Sequence, residues 1–365
     1  MIGCADDTGA SRGLTGSEVS VAALKVGLMG LGRGGLRIAR TLADSPWCKL
    51  VAVASLQSKR IERFKSSYPD VATFDDYRSL IVSIPLDALF VAVPPYLRLK
   101  YLPLAAERGI PVWTLTPPAR RFDEGLELLG VFEKADCPIV VARNWGMEPA
   151  LQPEAIGLKD LGRCFLARGS ITSCSEADLD WRGDSKRAGA GALLYQGYPL
   201  LDTLVQVMGL PSTVYARTAG VSRPGTRFPY DTEDSAGLVC HFAGGGIAVL
   251  TACWTVGPEH EALDLHGIGG SIHIDRNKVE VRDRTGGIEI HRLLRSENNL
   301  QPQVEAFLSE LAASSRRFNN TLRHHLPTLA LIEAAYLSAQ TSQPESPDTI
   351  LRMHDVKEST SPGAR

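Results

Sequence analysis

Residues 25–35 read Lys-Val-Gly-Leu-Met-Gly-Leu-Gly-Arg-Gly-Gly, an apolar run that ends in a Gly-x-Gly-x-x-Gly turn at Gly30, Gly32 and Gly35. Gly30 permits a tight turn out of a strand. Gly32 lets the backbone approach a pyrophosphate, and Gly35 lets the next helix pack closely on the strand. Arg33 stands inside the turn, among the positions expected to meet a cofactor. A helical pattern follows through Leu36, Ile38, Ala39 and Leu42. Its N-terminal N–H groups and positive dipole end would face the same phosphates. A second strand pattern, Leu50–Ser55, follows at the distance a βαβ unit requires. In that context the triplet is a dinucleotide-binding signature and not a ligand-free turn.

The residue after the second strand faces the adenosine ribose. An acid there accepts from the 2′-hydroxyl and repels a 2′-phosphate. This chain has Ser55, then Leu56-Gln57-Ser58-Lys59-Arg60, with nothing acidic until Glu62. Ser55 and Ser58 can donate to a phosphate, and Lys59 or Arg60 can supply charge. NADP is therefore favoured over NAD. The alternative for Lys59 and Arg60 is a solvated helix start.

These residues need a frame. In the first half, strand patterns at Leu24–Met29, Leu50–Ser55, Ala88–Val93, Pro111–Thr114 and Pro138–Ala142 alternate with helical ones, including Arg98–Arg108 and Arg121–Ala135. Such alternation predicts an α/β fold, a Rossmann-type doubly wound parallel sheet. The second half predicts one long helix, Gly191–Met208. Period-2 segments follow at Thr213–Thr218, Ser235–Phe242, Gly246–Val256, Ala262–His266, Ser271–Asp275, Lys278–Arg282 and Gly287–Arg292. Short links between them imply an open, mostly antiparallel sheet in a C-terminal α+β domain. Helical patterns at Gln303–Ser315 and Leu326–Gln340 close it. The expected organisation is a disordered tail at 1–22, a Rossmann domain at 23–143, an α+β domain at 144–341, and a loose tail at 342–365 rich in Ser, Pro and Thr.

Composition narrows the function classes. Basic and acidic residues nearly balance, 39 against 41, which leaves no electrostatic case for nucleic acid or an anionic membrane. No apolar stretch is long enough to span a bilayer, and residues 1–20 lack the apolar core of a signal peptide. Seven scattered cysteines without a Cys-x-x-Cys pair fit a reducing cytoplasm. His324 and His325 are adjacent, and no His/Cys/carboxylate spacing suggests a metal.

A Rossmann half followed by an antiparallel α+β half resembles the glucose-fructose oxidoreductase / inositol dehydrogenase (Gfo/Idh/MocA) family, from about Lys25 to Gln340. Val91-Ala-Val-Pro-Pro95 sits where that family has an apolar strand ending in Thr-Pro at the nicotinamide, which brings in Val93 and Pro94. Gly109 through Pro117 looks like its Gly-Lys-His-Val-Leu-x-Glu-Lys-Pro segment. Residues Gly189–Asp202 look like its Gly-Gly-Gly-Ala-Leu-x-Asp-x-Gly-x-His-x-x-Asp helix. Asn144, Pro149, Trp181, Trp254 and Gly270 also fall at familiar places. The resemblance implies an NAD(P)-dependent oxidoreductase acting on a small, sugar-like or cyclic polyol or carbonyl compound. It also implies a homo-oligomer, paired through the exposed face of the C-terminal sheet by residues such as Val239, Val249 and Leu263.

The departures fall on the proton chemistry. In the family, the lysine of Glu-Lys-Pro orients substrate and nicotinamide, and the histidine handles the hydroxyl proton. Here Leu115-Thr116-Pro117 stands for Glu-Lys-Pro, Tyr195 for the first aspartate and Pro199 for the histidine; only Asp202 remains. Positions 195, 199 and 202 would share one helix face. A proline inside that helix would cost about 3 kcal/mol or more and kink it, with Gly197 easing the bend. Tyr195, Tyr198 and Asp202 are the candidate catalytic residues. A tyrosine whose ordinary pKa is about 10 needs a nearby cation to act as a base, and Arg98, Arg182 and Lys186 are candidates by resemblance of position. The alternative is that both tyrosines pack at the domain boundary with satisfied hydroxyls, and that Asp202 is only an acceptor. Two functions stay open: an oxidoreductase of divergent or weakened hydride-transfer chemistry, and an inactive cofactor-binding sensor or interaction protein.

Overall fold

Leu24–Met29 (β1) carries Val26, Leu28 and Met29 with no exposure at all, as a strand covered on both faces must. The computed structural model describes residues 23–143, 161–174, 179–220, 230–292, 300–313, 318, 320–354 and 356. Asn144, Pro149 and residues 1–22 lie outside the described residues. The first half continues with α1 (Arg33–Asp44), β2 (Cys48–Ala54), α2 (Ser58–Ser67), β3 (Ala72–Phe74), α3 (Tyr77–Ser83), β4 (Ala88–Val91), α4 (Arg98–Glu107), β5 (Val112–Thr114), α5 (Phe122–Lys134) and β6 (Ile139–Val141). All six strands are parallel, in the order β3-β2-β1-β4-β5-β6. The order reverses between β1 and β4, and beyond their carboxyl ends such a sheet holds its ligand. β3 was not expected. Its three residues, Ala-Thr-Phe, are too short to show a period.

The second half contains β7 (Cys164–Cys174), α6 (Ser185–Ala188), α7 (Ala192–Tyr195), α8 (Tyr198–Met208), β8 (Thr213–Ala219), β9 (Ser235–His241), β10 (Ile247–Cys253), β11 (Thr255–Gly267), β12 (Gly270–Asp275), β13 (Lys278–Asp283) and β14 (Ile288–Arg292). They form one sheet, β14-β13-β12-β11-β7-β10-β9-β8, antiparallel except where β10 runs parallel to β7. β7, at the middle of this sheet, was missed. Its Arg168-Gly169-Ser170 interrupts the apolar alternation that marks the other strands. The expected strand Gly246–Val256 divides at the buried Trp254, and its end belongs to β11.

The single helix expected at Gly191–Met208 is two. Gly197 N–H bonds back to Ala192 O, five residues away, and α8 starts afresh at Tyr198 with Pro199 in its first turn. There a proline has no N–H to lose from the ladder. The sequence therefore avoids the mid-helix penalty by restarting the helix.

Three helices follow: α9 (Gln301–Ala312), α10 (Leu322–Thr341) and α11 (Pro347–Met353). α9 corrects the expected domain boundary. Its Val304, Phe307 and Leu308 are buried against Val26, Phe90 and Trp113 of the Rossmann sheet, with Phe307 edge-on to Phe90 at 5.7 Å. Each such side chain contributes about 1.5–3 kcal/mol on burial. α10 packs on both α5 and β8 and so joins the two halves. Residues 342–354 also correct the expected loose tail. Glu345 pairs with Val214 through two backbone bonds, and Leu351 of α11 is buried. The Ser346-Pro347 pair that suggested looseness is the start of a helix, with Pro347 in its first turn.

On the outer face of the larger sheet Val239 and Val249 are directly paired and exposed, as expected. Leu263 is wholly buried on the opposite face, so it cannot serve an outer contact. Among the described residues no helix is long and apolar enough to cross a membrane.

Candidate active site

The loop after β1 sets one wall of a cleft of about 930 Å³ between the two halves. Gly30 has φ +101°, and a Cβ there would stand 2.9 Å from the backbone of Ala92, at the end of β4. A Cβ on Gly35 would stand 1.9 Å from Gly30 O. Both positions therefore require glycine. Gly32 is the N-cap of α1 and offers no capping side chain, so the first N–H groups of that helix are left for a ligand. Gly30, Gly32 and Arg33 all line the cleft. Gly35 does not; it supports the turn from behind.

The β2 end supplies Ser55, buried, whose Oγ accepts from the Gln57 N–H at 3.2 Å. The Arg60 guanidinium reaches across from α2 to within 3.4 Å of where a Cβ on Gly32 would stand. Arg60 and Ser55 line the cleft; Lys59 is exposed and does not. Of the two expected cations, the structure brings one to the glycine turn.

Farther along the cleft lie Val93 and Pro94, which follow β4, and the cis-bonded pair Thr116-Pro117, which follows β5. Arg98, the first residue of α4, is 3 % exposed. Its Nη1 donates to Pro117 O at 2.6 Å and its Nη2 to Val93 O at 3.3 Å. Its Nε finds no partner, and neither does the buried Thr116 hydroxyl. Burial lowers the Arg98 pKa to about 10, which still leaves it charged at neutral pH.

The facing wall comes from the other half. Trp181 and Arg182 lie in a tight 3₁₀ turn, Asp180–Gly183, and Tyr195 ends α7. The Trp181 ring meets Tyr195 edge-on at 5.1 Å and Tyr96 at 5.9 Å. The Arg182 guanidinium sits 5.0 Å from the centre of the Trp181 ring and 5.9 Å from that of Tyr195. The Tyr195 hydroxyl donates to Ala188 O at 2.6 Å. Burial raises its pKa well above the usual value, and the pull of Arg98, Arg182 and Arg120 does not offset this. Arg98 and Arg182 thus stand where the sequence expected a cation. Lys186 does not; its side chain is exposed and does not line the cleft.

Tyr198 and Asp202 need correction. Neither lines the cleft. Tyr195 and Tyr198 belong to different helices, so the shared face expected of residues 195, 199 and 202 does not form. The Tyr198 hydroxyl lies 2.9 Å from His325 Nδ1, and His325 Nε2 donates to Asn320 Oδ1 at 3.1 Å. Asp202 accepts from the Thr328 hydroxyl at 2.9 Å and from Gln206 Nε2 at 2.7 Å. Its other close neighbours are His325 at 3.4 Å and Arg143 at 3.7 Å. Burial alone would push the Asp202 carboxyl up, but His325, Arg143 and Thr328 hold it below its ordinary value. This buried network joins α8 to α10. The pairs that join the two helices, Tyr198 with His325 and Asp202 with Thr328, are more than a hundred residues apart, and no spacing in the sequence could have shown them.

Residues fit for a dinucleotide are therefore present. Gly30 and Gly35 have room only for backbone, the N-terminus of α1 carries no capping side chain, and Arg60 stands beside it.

Comparison with known proteins agrees. Residues 24–143 match an oxidoreductase family with an NAD-binding Rossmann fold, and residues 154–273 match the GFO/IDH/MocA C-terminal domain. D-apiose dehydrogenase of Paraburkholderia graminis is 21 % identical over 98 % of this chain and 98 % of its own length. Among solved structures, levoglucosan dehydrogenase in complex with NADH superposes with a TM-score of 0.80 at 20 % identity, covering 89 % of this chain and 99 % of that one. An oxidoreductase from Agrobacterium radiobacter, in complex with NAD+, L-tartaric acid and magnesium, gives 0.78 at 20 % identity over 90 % and 99 %. At these identities the superpositions establish the fold.

Proposed function

We propose, on the premise that this chain belongs to the GFO/IDH/MocA family of oxidoreductases, that it is an NADP-dependent oxidoreductase for a small, sugar-like substrate and that Tyr195 handles the proton. The observation that carries this is the half-buried Tyr195, in the field of Arg98 and Arg182 on the wall of the same cleft that contains the glycine turn. A bound nicotinamide dinucleotide supplies or accepts the hydride. Gly30, Gly32 and the end of α1 bind its phosphates, and Arg60 with Ser55 favours a 2′-phosphate. Trp181 and Tyr96 give the substrate an apolar wall and exclude water. Tyr195 is protonated at neutral pH, and by turning its O–H from Ala188 O to the substrate it can donate to a carbonyl oxygen that is being reduced. Microscopic reversibility makes the same oxygen the acceptor in alcohol oxidation. Positive charge from Arg98 and Arg182 stabilises the tyrosinate that donation leaves behind.

Binding tests the cofactor assignment. NADP is expected to bind about tenfold tighter than NAD in a fluorescence-quenching titration, the worth of one charge-assisted contact. Arg60→Ala should erase most of that difference. An NAD preference in the unaltered protein would refute the assignment and leave the fold untouched. Turnover tests the rest. Simple neutral polyols such as glucose and inositol should be very poor substrates, because the family's lysine and histidine are both absent. A protein that binds NADP but turns over no sugar or sugar derivative would favour a sensor.

A further inference from the structure

Among the described residues five arginines line the cleft. Arg33 and Arg60 stand at the glycine turn, where cofactor phosphates would neutralise them. Arg187 is paired with Asp184 at 3.2 Å. Arg98 and Arg182 remain, with Thr116 and Tyr195 beside them and with Asp180 and Arg33 within electrostatic reach of Arg182. Among the described residues no carboxylate forms an ion pair with either. Arg98 is tied only to two backbone carbonyls, and Arg182 lies against aromatic rings. A buried guanidinium without a counter-ion costs several kcal/mol, which charge-assisted bonds to carbonyls offset only in part. The Arg98 Nε–H and the Thr116 hydroxyl are both buried and both without a partner, on two residues that line this cleft.

We propose that Arg98 and Arg182 form an anion subsite, and that the substrate of this chain is a carboxylate-bearing polyol or its keto counterpart, such as a sugar acid. The inference rests on the cleft being the oxidoreductase site proposed above. A carboxylate accepts through two oxygens, which suits one inward N–H from Arg98 and one hydroxyl from Thr116, with Arg182 adding charge from the open side. A phosphate dianion has more acceptor oxygens than these few donors would satisfy. The subsite also bears on the missing lysine. The Arg98 guanidinium, bonded to Pro117 O, places a fixed positive charge next to Thr116, where the resemblance put that lysine. Here the cation is part of the wall, and the substrate supplies its counter-charge.

Calorimetric titration of the NADP-saturated protein tests this without requiring turnover. Matched pairs are compared: D-glucuronate against D-glucose, and D-galacturonate against D-galactose, with D-glucose 6-phosphate as a second anion. At least one carboxylate should bind about tenfold or more tightly than its neutral partner, and the margin should shrink with added salt. Arg182→Gln should reduce the margin to about threefold or less with NADP affinity retained. Arg98→Met should do the same, with a melting curve to show that the protein stays folded once the bonds to Pro117 O and Val93 O are lost. Equal binding of acids and neutral sugars overturns the proposal. So does a preference that survives both substitutions, or tighter binding of the sugar phosphate than of any carboxylate. If NADP itself fails to bind, the oxidoreductase assignment falls and this inference falls with it; if NADP binds and the carboxylate preference is absent, only this inference fails.

Discussion

Gly32→Asp abolishes dinucleotide binding while the protein stays folded: that is the largest single effect expected here. A Cβ on Gly32 meets only the end of the Arg60 side chain, at 3.4 Å, and Gly32 is the N-cap of α1 with ordinary negative φ. Aspartate is a favoured N-cap residue, so the fold tolerates it. Its carboxylate would take the place and the donors of a pyrophosphate and draw Arg60 to itself. Two like charges about 4 Å apart near a protein surface repel by about 4 kcal/mol, close to a thousandfold in affinity. Cofactor titration and a melting curve on the same sample check both halves. Gly35→Ala is the contrast: a Cβ 1.9 Å from Gly30 O must displace the turn itself, so stability falls along with binding. A Gly32→Asp protein that still binds NADP at micromolar concentration would mean that phosphates are held elsewhere.

Tyr195→Phe is expected to lower turnover about 10²–10⁴-fold, the usual worth of a positioned general acid or base. NADP affinity should hardly change, because the hydroxyl bonds Ala188 O at 2.6 Å and the ring keeps its contacts with Trp181. The pH dependence has a definite sign. Burial raises the Tyr195 pKa, so the acid form persists through neutral pH and carbonyl reduction should be flat there. Alcohol oxidation needs the deprotonated oxygen and should climb as pH rises. Tyr198→Phe separates this from a structural effect. Tyr198 lies outside the cleft, and its loss leaves His325 Nδ1 short of a partner, so about 1–3 kcal/mol of stability should go with turnover retained. Vigorous turnover in the Tyr195→Phe protein would refute the assigned role.

The geometry of the glycine turn was legible because it is local. Gly30, Gly32, Gly35 and Ser55 act through the backbone next to them, and their order along the chain is their order in space. The strand β1 was placed at both ends, since a strand buried on both faces is continuously apolar. The substrate half was legible only in part. Arg98, Arg182 and Tyr195 were named, but three loops and a helix break bring them together, and no spacing encodes that. Tyr198 was misplaced because a continuous helix was assumed through Pro199, whereas the restart at Gly197 turns it towards His325. Tyr96 was overlooked, as a single aromatic in a proline turn has no pattern. β7, the hub of the larger sheet, was hidden by its own polar residues; α9 was expected as a helix, but not its packing on the Rossmann sheet, whose strands lie far back in the chain.

The central claim is that one cleft holds the cofactor and brings Tyr195 to the reacting carbon. A crystal structure of the protein with NADP tests it most directly. The account expects the pyrophosphate against Gly32 and the start of α1, the 2′-phosphate at Arg60 and Ser55, and the nicotinamide beside Thr116 and Pro117. The Tyr195 hydroxyl should then face the open side of the ring, with room between them for one small substrate. A nicotinamide ring that lies away from Tyr195, with another side chain at its reactive carbon, would contradict it.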